Sequence, residues 1–209
     1  MVNKQQLSIT HIDNEIFEAR FSFVKNDFIR ENIKIYARYL TFLYSFGRKY
    51  NLHPDIVFSL YKDIIIYSAQ IVEALCHYLI SELIKNDEVE NKILGREWRK
   101  VSLMNCKLLL PELEIQAGSY RVSTIIEKKV GKRFKNKINF KKLIDYCEHA
   151  GLPEMFIKRL SGFKDKRNKI HIGSLEFVDD VYTENDVSAT LSDMSYIIDE
   201  IKQRLATEK

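Results

Sequence analysis

The sequence predicts an all-α protein of one domain (residues 1–209), an antiparallel bundle of four to six main helices. Three observations lead to this prediction. Apolar residues recur at spacings of three and four over long stretches, as one face of a helix requires. Seven glycines and three prolines are too few for a chain built from many short strands and turns. Hydrophobic residues make up 45% of the chain and charged residues 30%, which is typical of globular proteins.

The helices of the first half have clear boundary signals. Asn26 and Asp27 are capping residues, and the apolar stripe that follows predicts a helix through Phe46. Pro54 then begins the longest predicted helix, which runs to Lys85 and is apolar on most sides, as the central helix of a bundle would be. Residues 1–25 are expected to form an N-terminal extension of this domain.

The central helix carries a polar stripe. Gln70, Glu73 and His77 lie at spacings of three and four, so they share one helical face. The more common explanation is that such groups pair with basic residues on a neighbouring helix, because buried polar groups are normally satisfied. The alternative is that Glu73 and His77 line a cleft.

The middle third of the chain, residues 86–139, is ambiguous. Two stretches, 98–110 and 119–130, have helical features, but a β-branched run from Val122 to Ile126 leaves a strand open. From Lys128 to Lys142 the chain has eight basic residues and no acidic one, with Phe134 and Phe140 among them: Lys128, Lys129, Lys132, Arg133, Lys135, Lys137, Lys141 and Lys142. Cations interleaved with aromatic rings suit RNA, and the first six are our candidate RNA-binding residues. The alternative is a solvated loop whose lysines reflect an AT-rich genome.

Three further helices are predicted in the second half. Asn139 precedes a helix that Gly151 ends, and Pro153 begins the next, with Met155, Phe156 and Leu160 on its apolar side. An acidic loop follows, and Thr183 with Asp186 forms a variant capping box for the last helix. Its apolar seam alternates by four and three and must pack on a neighbouring helix or a second subunit: Val187, Leu191, Met194, Ile198, Ile201 and Leu205.

Cysteine usage and hydropathy indicate the compartment. Three scattered cysteines without a CxxC pair predict neither a disulfide framework nor a zinc site and are typical of a reducing environment. The first residues lack the apolar core of a signal peptide. The most apolar stretch, residues 56–84, is interrupted by charged side chains, which argues against a membrane span. We therefore expect a soluble, cytoplasmic protein that does not associate with membranes.

One short segment has the residues for chemistry. The motifs GxGxxG, GxxxxGK[ST], HExxH and GxSxG do not occur, and we expect neither a metal nor another cofactor. If a helix continues through residues 164–171, Lys164, Arg167 and His171 share one face and Asn168 flanks them. A histidine beside fixed cations suits attack of an RNA 2′-hydroxyl on its own phosphodiester, with histidine moving the proton and arginine holding the phosphate charge. The alternative is a histidine and an arginine that bond the last carbonyls of a helix.

The string Arg-Asn-Lys-Ile-His at 167–171 resembles the signature of the HEPN superfamily, helical bundles named for higher-eukaryote and prokaryote nucleotide-binding domains. That signature is an arginine, often followed by asparagine, with four to six residues before a histidine. Four other segments also resemble the superfamily: residues 68–75, the helix before Gly151, the acidic loop and the terminal helix. The HEPN-like region therefore covers residues 54–205. Here only three residues separate Arg167 from His171, while Lys166 and Lys164 occupy the spacings of four and six. Lysine lacks the planar fork of arginine, so a lysine in that role would weaken catalysis.

The resemblance implies a metal-independent endoribonuclease, commonly a homodimer whose two motifs face each other across the interface. HEPN proteins are often toxins or abortive-infection effectors in phage defence, and an antitoxin or another protein partner is then expected. Some members are inactive and only bind, so the alternative is a non-catalytic module that binds RNA or a protein. A third possibility is an unrelated helical protein in which the motif is accidental. The positions of Arg167 and His171 discriminate among these hypotheses.

Overall fold

The computed structural model describes residues 14–100, 115–117, 120–122, 127–131, 134, 138–169 and 182–207. These residues form seven helices and four short strands. The helices are α1 (Asn14–Phe21), α2 (Asp27–Lys49), α3 (Pro54–Leu83), α4 (Asp87–Leu94), α5 (Phe140–His149), α6 (Glu154–Lys169) and α7 (Glu184–Thr207). The strands are β1 (Arg96–Lys100), β2 (Ile115–Ala117), β3 (Tyr120–Val122) and β4 (Glu127–Gly131). The predicted helical character is confirmed.

Strands occupy part of the region that the sequence left ambiguous. β1 pairs with β4 in antiparallel register, with Trp98 opposite Lys129. β2 pairs with β3 in the same sense, with Gln116 opposite Arg121. Each pair is a two-stranded ribbon. The described residues of this ambiguous region after α4 therefore form strands rather than helices.

The long central helix α3 organises the bundle and contacts α2, α5, α6 and α7. Its inner side is fully buried at Ile65, Val72, Leu75 and Leu79. By length and composition alone α3 could cross a membrane, but 61% of its most apolar 18-residue window is buried inside the bundle. Burial of each large apolar side chain contributes about 1.5–3 kcal/mol, so α3 supplies much of the stability of the core.

We expect Leu75→Ala to lower the free energy of unfolding by about 2–5 kcal/mol, because it removes a fully buried side chain and leaves a cavity among close-packed neighbours. Chemical denaturation followed by circular dichroism measures this loss. Gln70→Ala on the exposed face of the same helix is the control, and it should change stability by less than about 0.5 kcal/mol. Equal effects of the two substitutions would contradict the central position of α3.

Helix boundaries follow the capping residues of the sequence. Asn26 Oδ1 accepts from the Ile29 N–H at 3.0 Å, and Asn139 Oδ1 accepts from the Lys142 N–H at 2.8 Å. At α7, the Thr183 N–H donates to Asp186 Oδ2 at 2.8 Å, and the Asp186 N–H donates to Thr183 Oγ1 at 3.3 Å, which confirms the predicted capping box. The hydrogen bonds that the Asp186 carboxylate accepts from the N–H and the hydroxyl of Thr183 lower the pKa of this carboxyl. Each such cap contributes about 1 kcal/mol.

The described part of the predicted N-terminal extension, residues 14–25, is integral to the fold. Phe21 and Val24 are buried in the core. Arg20 forms an ion pair with Asp199 of α7 at 2.5 and 3.1 Å and donates to Ser195 Oγ at 2.9 Å. The buried Lys34 of α2 pairs with Glu18 of α1 and with Glu31 at 2.7 Å. α1 is therefore held to both α2 and α7.

The apolar seam of α7 packs mainly within the subunit. Val187, Ile198 and Ile201 are buried, and α7 lies along α3. Leu191 and Met194 are partly buried and line a cavity of 720 Å³ between α1, α2 and α7. The sequence left open whether this seam packs on a neighbouring helix or on a second subunit, and in the structure it packs mainly on α3.

One apolar assignment on α6 is wrong. Phe156 and Leu160 are fully buried as predicted, but Met155 is half exposed. Adjacent helical residues point about 100° apart, so Met155 cannot share the face of Phe156 and Leu160.

Candidate functional site

The polar stripe of α3 meets the basic motif of α6. Arg167 lies two residues before the last residue of α6, and its Nη1 donates to Glu73 Oε2 at 2.8 Å. The side chains of Arg167 and Glu73 are 41% and 21% exposed, so the pair remains open to solvent. For Glu73, the favoured interpretation of the stripe is confirmed: it pairs with a basic residue of a neighbouring helix.

An aromatic ring holds Arg167 from a second side. The guanidinium carbon lies 6.0 Å from the ring centroid of Phe140, the first residue of α5. Phe140 itself is buried, so its position is fixed by the core. A cation over a ring contributes about 0.5–1 kcal/mol at an exposed site. The bond to Glu73 uses one of the five N–H donors of the guanidinium, and the geometry permits Arg167 to bind an anion as well.

A row of rings joins the basic segment to α3. The ring of Phe134 lies 6.2 Å from Tyr146 and 5.9 Å from His77. The Lys142 ammonium lies 5.6 Å from the ring centroid of Tyr146. Two aromatic rings, the buried Tyr146 and the partly exposed Phe134, therefore connect Lys142 of α5 with His77 of the α3 stripe.

His77 lies one helical turn from Glu73 on the same face of α3. Partial burial lowers the pKa of His77, and the nearby Glu73 carboxylate only partly offsets this effect. His77 is therefore a neutral imidazole near neutral pH, able to accept a proton. The structure thus places Glu73 against Arg167 and His77 one helical turn further along α3, against Phe134, and both remain candidate cleft residues.

The lysines near Arg167 differ in their contacts. Lys166 donates to the buried Thr190 Oγ1 of α7 at 2.8 Å, and its carbonyl accepts from the Tyr182 hydroxyl at 2.9 Å. Lys166 is therefore engaged in joining α6 to α7. Lys164 lies one turn before Arg167 with its ammonium 3.3 Å from Asp165, and its side chain is 29% exposed. Of the two lysines at signature spacings, only Lys164 shares the face of Arg167.

The structure describes only some of the other predicted site residues. His171 lies outside the described residues, as do Lys132, Arg133, Lys135 and Lys137. Lys128 and Lys129 belong to β4, and only their backbone is described. Asn168 is an exposed residue of α6 next to Arg167. The relation of His171 to Arg167 therefore remains a prediction.

Comparison with known protein families, with curated proteins and with solved structures finds no match to this chain. Among the described residues, no group of three or more His, Cys, Asp or Glu side chains is arranged to hold a metal ion. The chemistry of the site's own residues is therefore the basis for a functional proposal.

Three residues at the site escaped the sequence reasoning. Tyr146 is four residues after Lys142 on a predicted helix, and this spacing is the signal that could have found it. Tyr182 and Thr190 contact Lys166 across long sequence separations, for which helical periodicity carries no signal.

Proposed function

We propose that this chain is a HEPN-type, metal-independent endoribonuclease that cleaves RNA by attack of a 2′-hydroxyl on the adjacent phosphodiester. The observation that carries the proposal is the position of Arg167. It is half exposed, held between the Glu73 carboxylate and the Phe140 ring, and four residues before His171. A fixed guanidinium beside a titratable imidazole is the combination that this reaction needs.

The proposed roles follow from the charge that develops during the reaction. His171 removes the proton of the attacking 2′-hydroxyl, whose oxygen then bonds to phosphorus. Arg167 stabilises the negative charge on the non-bridging phosphate oxygens. The P–O5′ bond breaks, and the leaving 5′-oxygen takes a proton from an imidazolium. The products are a 2′,3′-cyclic phosphate and a 5′-hydroxyl, and no oxidant or external group is consumed.

Glu73 acts as a positioning residue in this proposal. Its carboxylate fixes the direction of the Arg167 guanidinium, as partners behind a binding group commonly do. Lys164, on the same face, adds positive charge for the phosphate backbone, and Asn168 flanks it. The partly exposed ring of Phe134 and the exposed ammonium of Lys142 support a path for single-stranded RNA towards the site.

The resemblance extends the proposal to biology. We place the protein in the cytoplasm as a homodimeric toxin or abortive-infection effector, restrained by an antitoxin or another protein partner. The second candidate function is a non-catalytic HEPN-like module that binds RNA or a protein. The short spacing between Arg167 and His171 favours this candidate, because it departs from the active signature.

Incubation of purified protein with end-labelled tRNA and mRNA tests the proposal. We expect cleavage that persists in EDTA, ends in a 2′,3′-cyclic phosphate, and fails on DNA of the same sequence, which lacks the nucleophile. Tight binding without any cleavage would favour the binding module. If the protein neither binds nor cleaves any RNA, the resemblance of residues 167–171 to the HEPN signature is accidental.

The basic segment gives a separate prediction about affinity. Reversing the charges of Lys132, Arg133 and Lys135 to glutamate should weaken RNA binding and reduce the slope of log Kd against log salt by about 2, because each lost phosphate contact removes about 0.7. Fluorescence anisotropy over a salt series measures the slope.

A matched control reverses three exposed basic residues elsewhere, Lys25, Arg48 and Lys202. The control should keep the wild-type slope. If both triple variants change the slope equally, RNA binding reflects overall charge, and the segment has no special role.

A further inference from the structure

The cavity of 720 Å³ between α1, α2 and α7 lies apart from the candidate site, none of whose residues lines it. We call it the apolar cavity, because apolar side chains of all three helices form most of its walls: Ile16, Phe17, Leu40, Leu191, Met194 and Ile198. Ile16 is 63% exposed, so the cavity opens to solvent along α1. Cavities of about 300–1,000 Å³ with mostly apolar walls are the usual sites of small ligands. The apolar cavity is therefore a candidate ligand site that RNA cleavage does not use.

The polar groups in the walls of the apolar cavity are already bonded within the subunit. The Thr41 hydroxyl donates to the Ala37 carbonyl at 2.9 Å. The Arg20 guanidinium donates to Ser195 Oγ and to Asp199. All three walls are helices, in which the backbone N–H and C=O groups bond one another. The walls thus offer mainly apolar surface, which suits a hydrocarbon better than a peptide or a sugar, whose polar groups would lose their bonds to water.

A second cavity, of 510 Å³, lies beside the first at the end of the bundle. Lys202 of α7 lines both cavities, and Phe21 lines the first whereas Phe23 lines the second. Along α7 the apolar cavity extends from Leu191 to Lys202, which is about 16 Å, roughly the length of an extended chain of twelve carbons. A molecule with one such chain in the apolar cavity therefore reaches the second cavity at Lys202.

The second cavity, which we call the basic cavity, carries an excess of positive charge. Its lining includes Lys25, Lys85 and Lys202 as well as the acidic Glu82. Glu82 pairs with Lys85 at 2.6 Å. In the described part of the chain no carboxylate pairs with Lys25 or Lys202, and the Lys25 ammonium lies 3.5 Å from the Ser22 carbonyl. Two ammonium groups remain to attract an anion, and they match the double charge of a phosphate better than the single charge of a carboxylate.

We propose that the two cavities together bind a lipid with one hydrocarbon chain and a phosphate head, taken up from solution. The chain lies in the apolar cavity along α7, and the phosphate lies in the basic cavity beside Lys25 and Lys202. Each methylene that leaves water tightens binding about fourfold, so the chain supplies most of the affinity and the lysines fix its direction. The proposal goes beyond RNA cleavage and does not depend on it.

Isothermal titration calorimetry with dodecyl phosphate, below the concentration at which it forms micelles, tests the site. We expect one molecule bound per chain. Octyl phosphate, four carbons shorter, should bind at least about tenfold more weakly, because less hydrocarbon leaves water. The cationic dodecyltrimethylammonium should also bind at least about tenfold more weakly, because the lysines repel its head. Equal binding of the anionic and the cationic compound would show adventitious binding of a detergent and overturn the proposal.

Two substitutions test the two halves of the site. Ala19→Trp fills the apolar cavity from an exposed position of α1 and should raise the Kd for dodecyl phosphate at least about tenfold. Its matched control is Ala189→Trp, at an exposed position of α7 outside the lining of both cavities. Lys202→Gln should raise the Kd about three- to tenfold, because it removes one of the two cations at the head. Lys158→Gln, at an exposed position of α6, is its control and should leave the Kd unchanged.

Three results would contradict the lipid site. Wild type that does not bind dodecyl phosphate would overturn it, and so would wild-type affinity in Ala19→Trp. Binding to vesicles that contain phosphatidic acid, without binding of dodecyl phosphate, would assign the lysines to a membrane surface instead. Circular dichroism of each variant verifies that the fold is retained. These measurements do not use ribonuclease activity, so failure of the lipid site and failure of the proposed function are distinguishable.

Discussion

Alanine in place of His171 is expected to slow RNA cleavage by roughly 10²–10⁴-fold, the usual contribution of general acid–base catalysis. The imidazole follows Arg167 by about one helical turn in sequence, and in the proposed reaction it moves the proton of the 2′-hydroxyl. Single-turnover cleavage of a labelled RNA, with the variant in excess, measures the chemical step separately from product release. RNA affinity should change little, because the phosphate contacts remain.

His77→Ala is the matched control for this experiment, since it removes an imidazole that lies on the same polar face as Glu73. We expect a small effect on cleavage compared with His171→Ala. A large loss in His77→Ala together with normal cleavage by His171→Ala would move the catalytic imidazole to α3, where burial keeps the pKa of His77 low and the ring neutral. If wild type and His171→Ala are equally inert on every RNA while both bind it, the enzyme proposal is wrong and the binding module remains.

Substitution of Arg167 should have the second largest effect. Arg167→Ala is expected to reduce the cleavage rate by roughly 10²–10³-fold, because it removes a donor fixed towards developing charge. Arg167→Lys should also be markedly impaired, because a point charge cannot replace the planar fork that bonds both Glu73 and a phosphate. The rate constant at saturating RNA, together with the concentration of half-saturation, distinguishes a loss of catalysis from a loss of binding.

Three further variants test the roles of the residues around Arg167. Lys164→Ala tests whether a lysine shares its role: damage equal to that of Arg167→Ala would mean that it does. Lys166→Ala should lower thermal stability rather than cleavage, because its ammonium bonds the buried Thr190. Glu73→Gln should lower the maximal rate with little change in stability if Glu73 positions the arginine. A fall in stability with normal cleavage per folded molecule would show that the ion pair only joins α3 to α6.

Local signals explain which elements could be predicted from the sequence. α2 and α5 begin directly after the expected capping residues, because a cap and the first turn that it bonds lie within three residues of each other, and α3 begins at Pro54 as predicted. α1 was missed because its eight residues are too few for a clear period, and the burial of Phe21 depends on α2 and α7 rather than on its neighbours in sequence. The middle third remained ambiguous because β-branched residues are compatible with both a buried helix and a strand.

In the candidate site, too, helical spacing predicts which residues share a face but does not predict which distant residues they contact. The stripe with Glu73 and His77 and the face with Lys164 and Arg167 both follow from helical spacing. The bond between Glu73 and Arg167 joins residues 94 positions apart, and no periodicity specifies such a partner. Likewise, the four-three pattern of α7 predicted an apolar seam but could not distinguish α3 from a second subunit, because a period identifies a face and not what covers it.

The ties between α1 and α7 have a consequence for the timing of folding in the cell. Arg20 bonds Ser195 and Asp199, which the ribosome adds 175 and 179 residues later. At about 5–20 residues per second, α1 waits roughly 10–35 s before its docking surface exists. During that interval α2 can already pack on α3, but the side of α1 that docks on α7 has no partner. The contacts that hold α1 to α7 therefore form late in synthesis, and the bundle described here is complete only once α7 has docked.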